Sequence, residues 1–185
     1  MIRERDKRVE TVLSKIDSGA HIIVFDGPCA SGKTTLSQDI ASIRDVSVIK
    51  MDDFFLPMEL RTKERFKEKG GNIHYERFIE EVIKPIKEKR DISYRVFSCS
   101  TMDYVAVVNI PFSSQIIVEG SYALHPKFEK YWDYAFFLSI DSEEQIRRLK
   151  ERSPKKIESF ISTWIPLENE YFSSYSIEKR ADFVL

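Results

Sequence analysis

The stretch IIVFDGPCASGKTTLSQDIA, residues 22–41, decides how the rest of the chain is read. Its first residues are β-branched or aromatic, the composition of a buried strand, and the run stops at Gly27. Gly32, Lys33 and Thr34 follow, and a helical pattern begins there. A strand over 21–26, a tight loop and a helix over 33–43 are therefore expected. The loop, Gly27-Pro28-Cys29-Ala30-Ser31-Gly32-Lys33-Thr34, has the spacing G-x-x-x-x-G-K-[ST].

That spacing binds phosphate for physical reasons. Glycine reaches backbone angles closed to other residues, so successive N–H groups can turn onto phosphate oxygens. The helix N-terminus adds partial positive charge. Lys33, expected to face solvent before a nucleotide arrives, brings a full charge to the β- and γ-phosphates. The Thr34 hydroxyl is a candidate Mg²⁺ ligand. Residues 27–35, Thr35 included, form the candidate nucleotide-binding segment, with ATP and Mg²⁺ as the implied cofactors. Cys29 is read as a small residue that fits a tight loop, ahead of a redox sensor whose thiolate the loop would favour.

Composition limits the alternatives. The 185 residues carry 29 basic and 30 acidic side chains, a net charge of −1, which argues against gripping a nucleic-acid backbone. No apolar run reaches membrane-spanning length, and the first ten residues are too charged for a signal peptide. Two cysteines without a CxxC pair suggest a reducing cytoplasm and no structural zinc. A single domain over 1–185 is expected, without nucleic-acid or membrane partners, and the sequence does not choose between monomer and homo-oligomer.

Strands and helices alternate along the chain. A helix over 3–16 opens it, and a second strand follows over 46–51. Residues 75–89 read as a helix that Pro85 should kink or end near Lys84. Segments 93–97 and 105–108 read as an antiparallel pair, a hairpin insertion over about 92–109. Further core strands are expected over 115–119, 134–140 and 181–185, the last of them buried. Ser142-Glu-Glu-Gln145 reads as a capping box, and a long helix should cover 155–173. Short apolar strands separated by helices indicate a parallel sheet covered on both faces. ELRTKERFKEKGG, residues 59–71, reads as a mobile, solvated flap.

Ligands in such sheets bind beyond the carboxyl ends of the strands. Asp52 and Asp53 follow the second strand, and Glu119 ends the third core strand. Two carboxylates at separate strand ends allow one to serve the metal and the other to accept a proton from an attacking hydroxyl. Asp52, Glu119 and Thr34 are the metal-site candidates, and Asp52 and Asp53 both remain open as the base. Residues 143–156 are a candidate lid, in which Arg148 and Arg152 share a helix face and are candidate catalytic residues with Lys33. Trp164, Glu168 and Tyr171 also share a face, read as packing.

These residues resemble the uridine kinase-like group of P-loop kinases, as found in a bacterial subgroup. The similarity spans residues 19–185: GPCASGKTT looks like its phosphate loop, MDDFF its segment after the second strand, IIVEGSYAL its third strand, RRLKER its lid and KRADFVL its last strand. The resemblance implies an α/β P-loop NTPase fold with a five-stranded parallel sheet ordered 2-3-1-4-5. It implies an ATP- and Mg²⁺-dependent kinase acting on a hydroxyl of a small metabolite, a nucleoside first. By position, Asp52 matches the family's base and Glu119 its metal-shell carboxylate; Arg148 and Arg152 match lid residues. The departures lie on the acceptor side. Phe97 and Met102 fall near the family's pyrimidine-reading Tyr and His, and neither can make the same hydrogen bonds. His74 and Tyr75 fall near its ribose-holding Asp. Asp53, His74, Tyr75 and Phe97 are thus the candidate acceptor residues. A kinase for pantothenate, a sugar or a nucleoside monophosphate is the alternative enzyme, and a nucleotide-binding regulatory protein the alternative of another class.

Overall fold

The computed structural model describes residues 4–185. The opening helix runs Glu4–Asp17 (α1); residue 3, where it was expected to start, lies outside the described residues. Strand β1, Ile22–Asp26, is buried at all five positions, because a parallel strand covered on both faces has no solvent side. It leads through the glycine loop into α2, Lys33–Ala41, and then β2, Val46–Lys50. Strands β3, Ile92–Ser98, and β4, Asp103–Ile110, form a separate antiparallel hairpin. The main sheet adds β5, Gln115–Glu119, β6, Tyr134–Phe137, and β7, Phe183–Val184.

All neighbours in the main sheet are parallel, in the order β2-β5-β1-β6-β7. Counted among core strands, this is the expected order 2-3-1-4-5. Alternation splits the core in two. Ile23, Phe25 and Ile117 face Val12 and Ile16 of α1 and Leu36 and Ile40 of α2. Ile22, Val24, Ile116 and Val118 face the other layer, which contains Phe78, Val82 and Tyr171.

Several expected boundaries move for physical reasons. Strand β6 stops at Phe137 rather than residue 140, because its partner β1 ends at Asp26, where the loop begins. β7 is a two-residue edge strand paired only with β6, so Val184 is 51% exposed and the strand is not buried. The helix beginning at Ser142 (α4, Ser142–Arg152, with α3 the helix over 75–87) is capped by Asp141, not by Ser142. Asp141 Oδ1 accepts the Glu143 and Glu144 N–H groups, while Gln145 turns away to the Cys29 carbonyl at 3.0 Å. The last long helix, α5, covers 157–174 after a 3₁₀ turn, Pro154–Lys156.

Pro85 neither ends α3 nor sharply stops it. Residues Ile79–Ile83 widen into a π-turn, and the Lys84 N–H reaches back five residues to the Ile79 carbonyl. The wider turn makes room for the proline ring. α5 repeats the device at Phe160–Trp164 before Pro166. The 59–71 flap is solvated over most of its length, yet it is tied to its neighbours: Arg65 donates to the Gly71 and Ile73 carbonyls at 2.9 Å and to Glu76 at 2.7 Å. Its guanidinium also lies 3.6 Å from the Tyr75 ring centroid. No helix among the described residues is long and apolar enough to cross a membrane.

Candidate active site

The site starts from one buried carboxylate. Asp26, last in β1, accepts the N–H groups of Gly27, Tyr122 and Leu124 and the Tyr171 hydroxyl, at 2.7 to 3.1 Å. Burial raises its carboxyl to about 6 against the pull of those bonds. It thereby fixes the start of the glycine loop to the turn after β5 and to α5. Gly27 itself (φ 139) lies under β6: a Cβ there would sit 2.3 Å from the Leu138 carbonyl oxygen. Gly32 (φ 102) is the N-cap of α2 and turns the chain so that the helix N-terminus faces the loop.

Lys33 does not face solvent. It is 7% exposed, and its ammonium donates to the Gly27 and Pro28 carbonyls at 2.7 and 2.8 Å. Those two carbonyls turn the side chain inward along its own loop, which is the difference from the expectation. The Thr34 hydroxyl donates to Glu119 Oε1 at 3.0 Å, so the ends of β1 and β5 converge as their parallel register requires. Burial raises the Glu119 carboxyl, with Lys33 and Thr34 opposing. Arg148 spans Glu144 and the Ala30 carbonyl, at 2.7 and 3.1 Å.

These groups open onto a cleft of about 1080 Å³. Residues 29–35, Asp52, Glu119, Arg148 and Arg152 all stand on its wall. Asp52 meets the solvent of the cleft but is walled in by protein, and this desolvation raises its carboxyl; Lys33 and Arg152 pull the other way. Asp53, His74, Tyr75 and Phe97 do not stand on that wall. Asp53 accepts the Tyr94 hydroxyl at 3.2 Å. His74 precedes α3 with its N–H on the Phe54 carbonyl, and its Nδ1 is buried without a partner. Tyr75 donates to Glu68 at 2.8 Å, and Phe97 packs edge-on against Tyr104.

Sequence reading missed the contribution of α5. Trp164 and Glu168 line the cleft, with Phe160 and Phe55 beside them. Glu168 accepts the Cys29 N–H and the Ser121 hydroxyl, both at 2.8 Å. The spacing 160, 164, 168 was the available signal, although apolar-plus-acid helix faces are usually packing. Tyr171 does pack, with its hydroxyl on Asp26. Burial and the neighbouring Glu168 push the Cys29 thiol up to about 12, so this loop does not favour a thiolate.

No family model and no curated protein matches the chain. Among solved structures, a "possible uridine kinase" from Bacillus stearothermophilus is similar at 20% identity and a TM-score of 0.73, covering 99% of this chain and 100% of its own. A shikimate kinase from Bacteroides thetaiotaomicron (18% identity, TM-score 0.45, 90% of this chain and 86% of its own) is a more distant likeness. TT1252 from Thermus thermophilus (18%, 0.48, 89% and 86%) is another. The chain has the α/β fold of P-loop NTPases, with a five-stranded parallel sheet and an antiparallel hairpin.

Proposed function

We propose that the protein is an ATP- and Mg²⁺-dependent kinase that moves the γ-phosphate of ATP to a hydroxyl of a small metabolite, in the manner of the uridine kinase-like group. The observation that carries the reading is the opening of three features onto one cleft: the phosphate loop, the 3.0 Å contact of Thr34 with Glu119, and Asp52. A reducing, cytoplasmic setting accords with two free cysteines.

The loop N–H groups and Lys33 bind and orient the phosphates, Lys33 exchanging the Gly27 and Pro28 carbonyls for phosphate oxygens. Thr34 and Glu119 supply the hard oxygen donors that suit Mg²⁺, directly or through its waters, and Asp52 is a third candidate. When bound, the ion would offset the negative charge of the phosphates. Asp52 takes the hydroxyl proton as the acceptor oxygen bonds to phosphorus; the bond to the β–γ bridging oxygen breaks and ADP leaves. Its raised carboxyl is a better proton acceptor than a free aspartate. Arg148 and Arg152, on the proposed lid over 143–156, offset charge on the group in transfer.

On the acceptor side, Phe97 and Met102 give no pyrimidine-reading contact: Phe97 is buried, and Met102 sits in the hairpin turn at φ 56. Asp53, His74, Tyr75 and Phe97 are therefore left out of the proposed acceptor wall. The test is ADP release from purified protein across a library of hydroxyl-bearing metabolites, with the phosphorylated product identified. At least one acceptor should stimulate release roughly tenfold or more over water. Release that no acceptor raises above the water rate would overturn the proposal.

A further inference from the structure

Glu168 is a buried carboxylate, 6% exposed, beside the loop that must receive anions. No Lys, Arg or His forms an ion pair with it among the described residues; its donors are the Cys29 N–H, the Ser121 hydroxyl and the Cys29 thiol. A carboxylate offers about four lone-pair directions, so three donors still leave one. A buried charge without a countercharge is costly, and here it also repels incoming phosphates. Its bond to the Cys29 N–H anchors α5 to the loop, and its negative charge offers the acceptor side an attraction for a cation.

Four residues before Glu168 stands Trp164, and four before that Phe160, both on the cleft wall, where a π-turn interrupts the helix. Such turns recur at functional sites. The Phe55 ring packs 5.9 Å from Trp164 and joins the segment bearing Asp52 to this wall. The aromatic surface already carries one cation: the Arg152 guanidinium lies 5.8 Å from the Phe160 ring. Aromatic faces next to a carboxylate form the arrangement that holds a positively charged nitrogen.

Resting on the kinase reading above, the geometry points to a small amino alcohol as the acceptor: its hydroxyl at Asp52, its cationic nitrogen against Trp164, Phe55 and Glu168. Of the cations on the cleft wall, Arg5 and Arg8 come from α1, Arg5 paired with Asp39; Lys33 and Arg148 contact the phosphate loop, and Arg152 and Lys156 belong to the proposed lid. The transfer balances as before. The hydroxyl proton goes to Asp52, phosphorus bonds to the alcohol oxygen and ADP departs.

The test gives the full chain Mg²⁺ and ATP with matched alcohols of one size, bearing a primary amine, a trimethylammonium, a neutral N-acetyl group or a carboxylate. The two cations should be used with kcat/KM about tenfold or more above the neutral analogue. Glu168→Gln and Trp164→Leu should each bring that ratio towards one. A structural role for Glu168 would lower both classes alike and leave the ratio unmoved. Quenching of tryptophan emission by the trimethylammonium alcohol, lost in Trp164→Leu, reads binding apart from turnover and holds even if Glu168→Gln fails to fold. Neutral or anionic alcohols used as well as the cations, a ratio that neither variant moves, or a non-cationic acceptor emerging from the library with all cations inert each overturn the amino alcohol but keep the kinase. No acceptor of any class sinks both.

Discussion

The Lys33 ammonium donates to two carbonyls of its own loop, so the proposed nucleotide would exchange protein oxygens for phosphate oxygens at that one atom. Lys33→Ala removes both sets of bonds, and water in the cleft can serve the carbonyls but not the phosphates. Turnover at saturating ATP should fall roughly 10²-fold or more while far-UV circular dichroism stays native; a near-native kcat would show that the lysine is not a phosphate ligand. Glu119 answers to a different titration. Glutamine still accepts a hydrogen bond but brings no charge to the ion, so Glu119→Gln should raise the Mg²⁺ half-saturation about tenfold. An unchanged half-saturation would move the metal role to Asp52. Loop spacing pointed to Lys33 and Thr34, because a phosphate loop fixes its donors in sequence, and Glu119 was read from its place at a strand end. Neither signal could identify Glu168, whose role comes from a contact 139 residues away along the chain.

At the scale of elements, the hairpin and the π-turns mattered most. The β3–β4 register shifts between Val96 and Phe97, and Phe97 turns into the core against Tyr104. The hairpin therefore presents no hydrogen-bonding side chain at the position that would read a pyrimidine. Uridine and cytidine should be poor acceptors next to at least one other compound, because an unmade base contact can cost about 10⁴-fold in discrimination. A broad panel in which uridine ranks best, with a micromolar KM, would contradict this. Pro85 was legible as a break in the helical pattern, but not the outcome, and Pro166 was passed over inside a helix expected over 155–173. Packing on both sides, by Phe78 and Val82 in one helix and Tyr171 in the other, keeps each helix continuous and passes the strain to a wide turn. The flap's charged residues suggested solvent, and most of them are exposed, but Arg65 also ties the segment locally through two carbonyls and one carboxylate.

For the whole molecule, the parallel sheet was readable because strands that are apolar throughout and separated by helices indicate one, while its order followed from the family resemblance. The proposed acceptor wall was not readable, since Phe55 and the α5 pair Phe160 and Trp164 come from two distant elements whose approach only tertiary packing decides. That packing also sets a pH limit. His125 donates Nε2–H to the Lys69 carbonyl and accepts the Lys127 N–H at Nδ1, both at 3.1 Å, a neutral imidazole with both nitrogens used. Burial lowers it from 6.5 to about 4. The unfolded chain then binds a proton that the native state refuses, so stability is full above about pH 6.5 and is lost as pH falls towards about 4, by at most about 3 kcal/mol. Asp26, raised to about 6, acts in the opposite sense over the lower part of that range. Denaturant melts of wild type and His125→Gln at about pH 7.5 and 4.5 separate the two, and the variant should lose less stability on acidification. An equal loss would assign the acid sensitivity elsewhere. The molecule as a whole is proposed to bind ATP and pass its γ-phosphate to a hydroxyl whose proton Asp52 accepts, and Asp52→Asn tests that most directly. Equilibrium ATP binding and single-turnover phosphorylation, measured on Asp52→Asn beside Asp53→Asn, should show ATP bound within a few-fold of wild type by both and transfer slowed about 10²–10⁴-fold only in Asp52→Asn. Transfer slowed more by Asp53→Asn would reverse the two roles, and transfer at the wild-type rate in both would contradict acid–base transfer at this cleft.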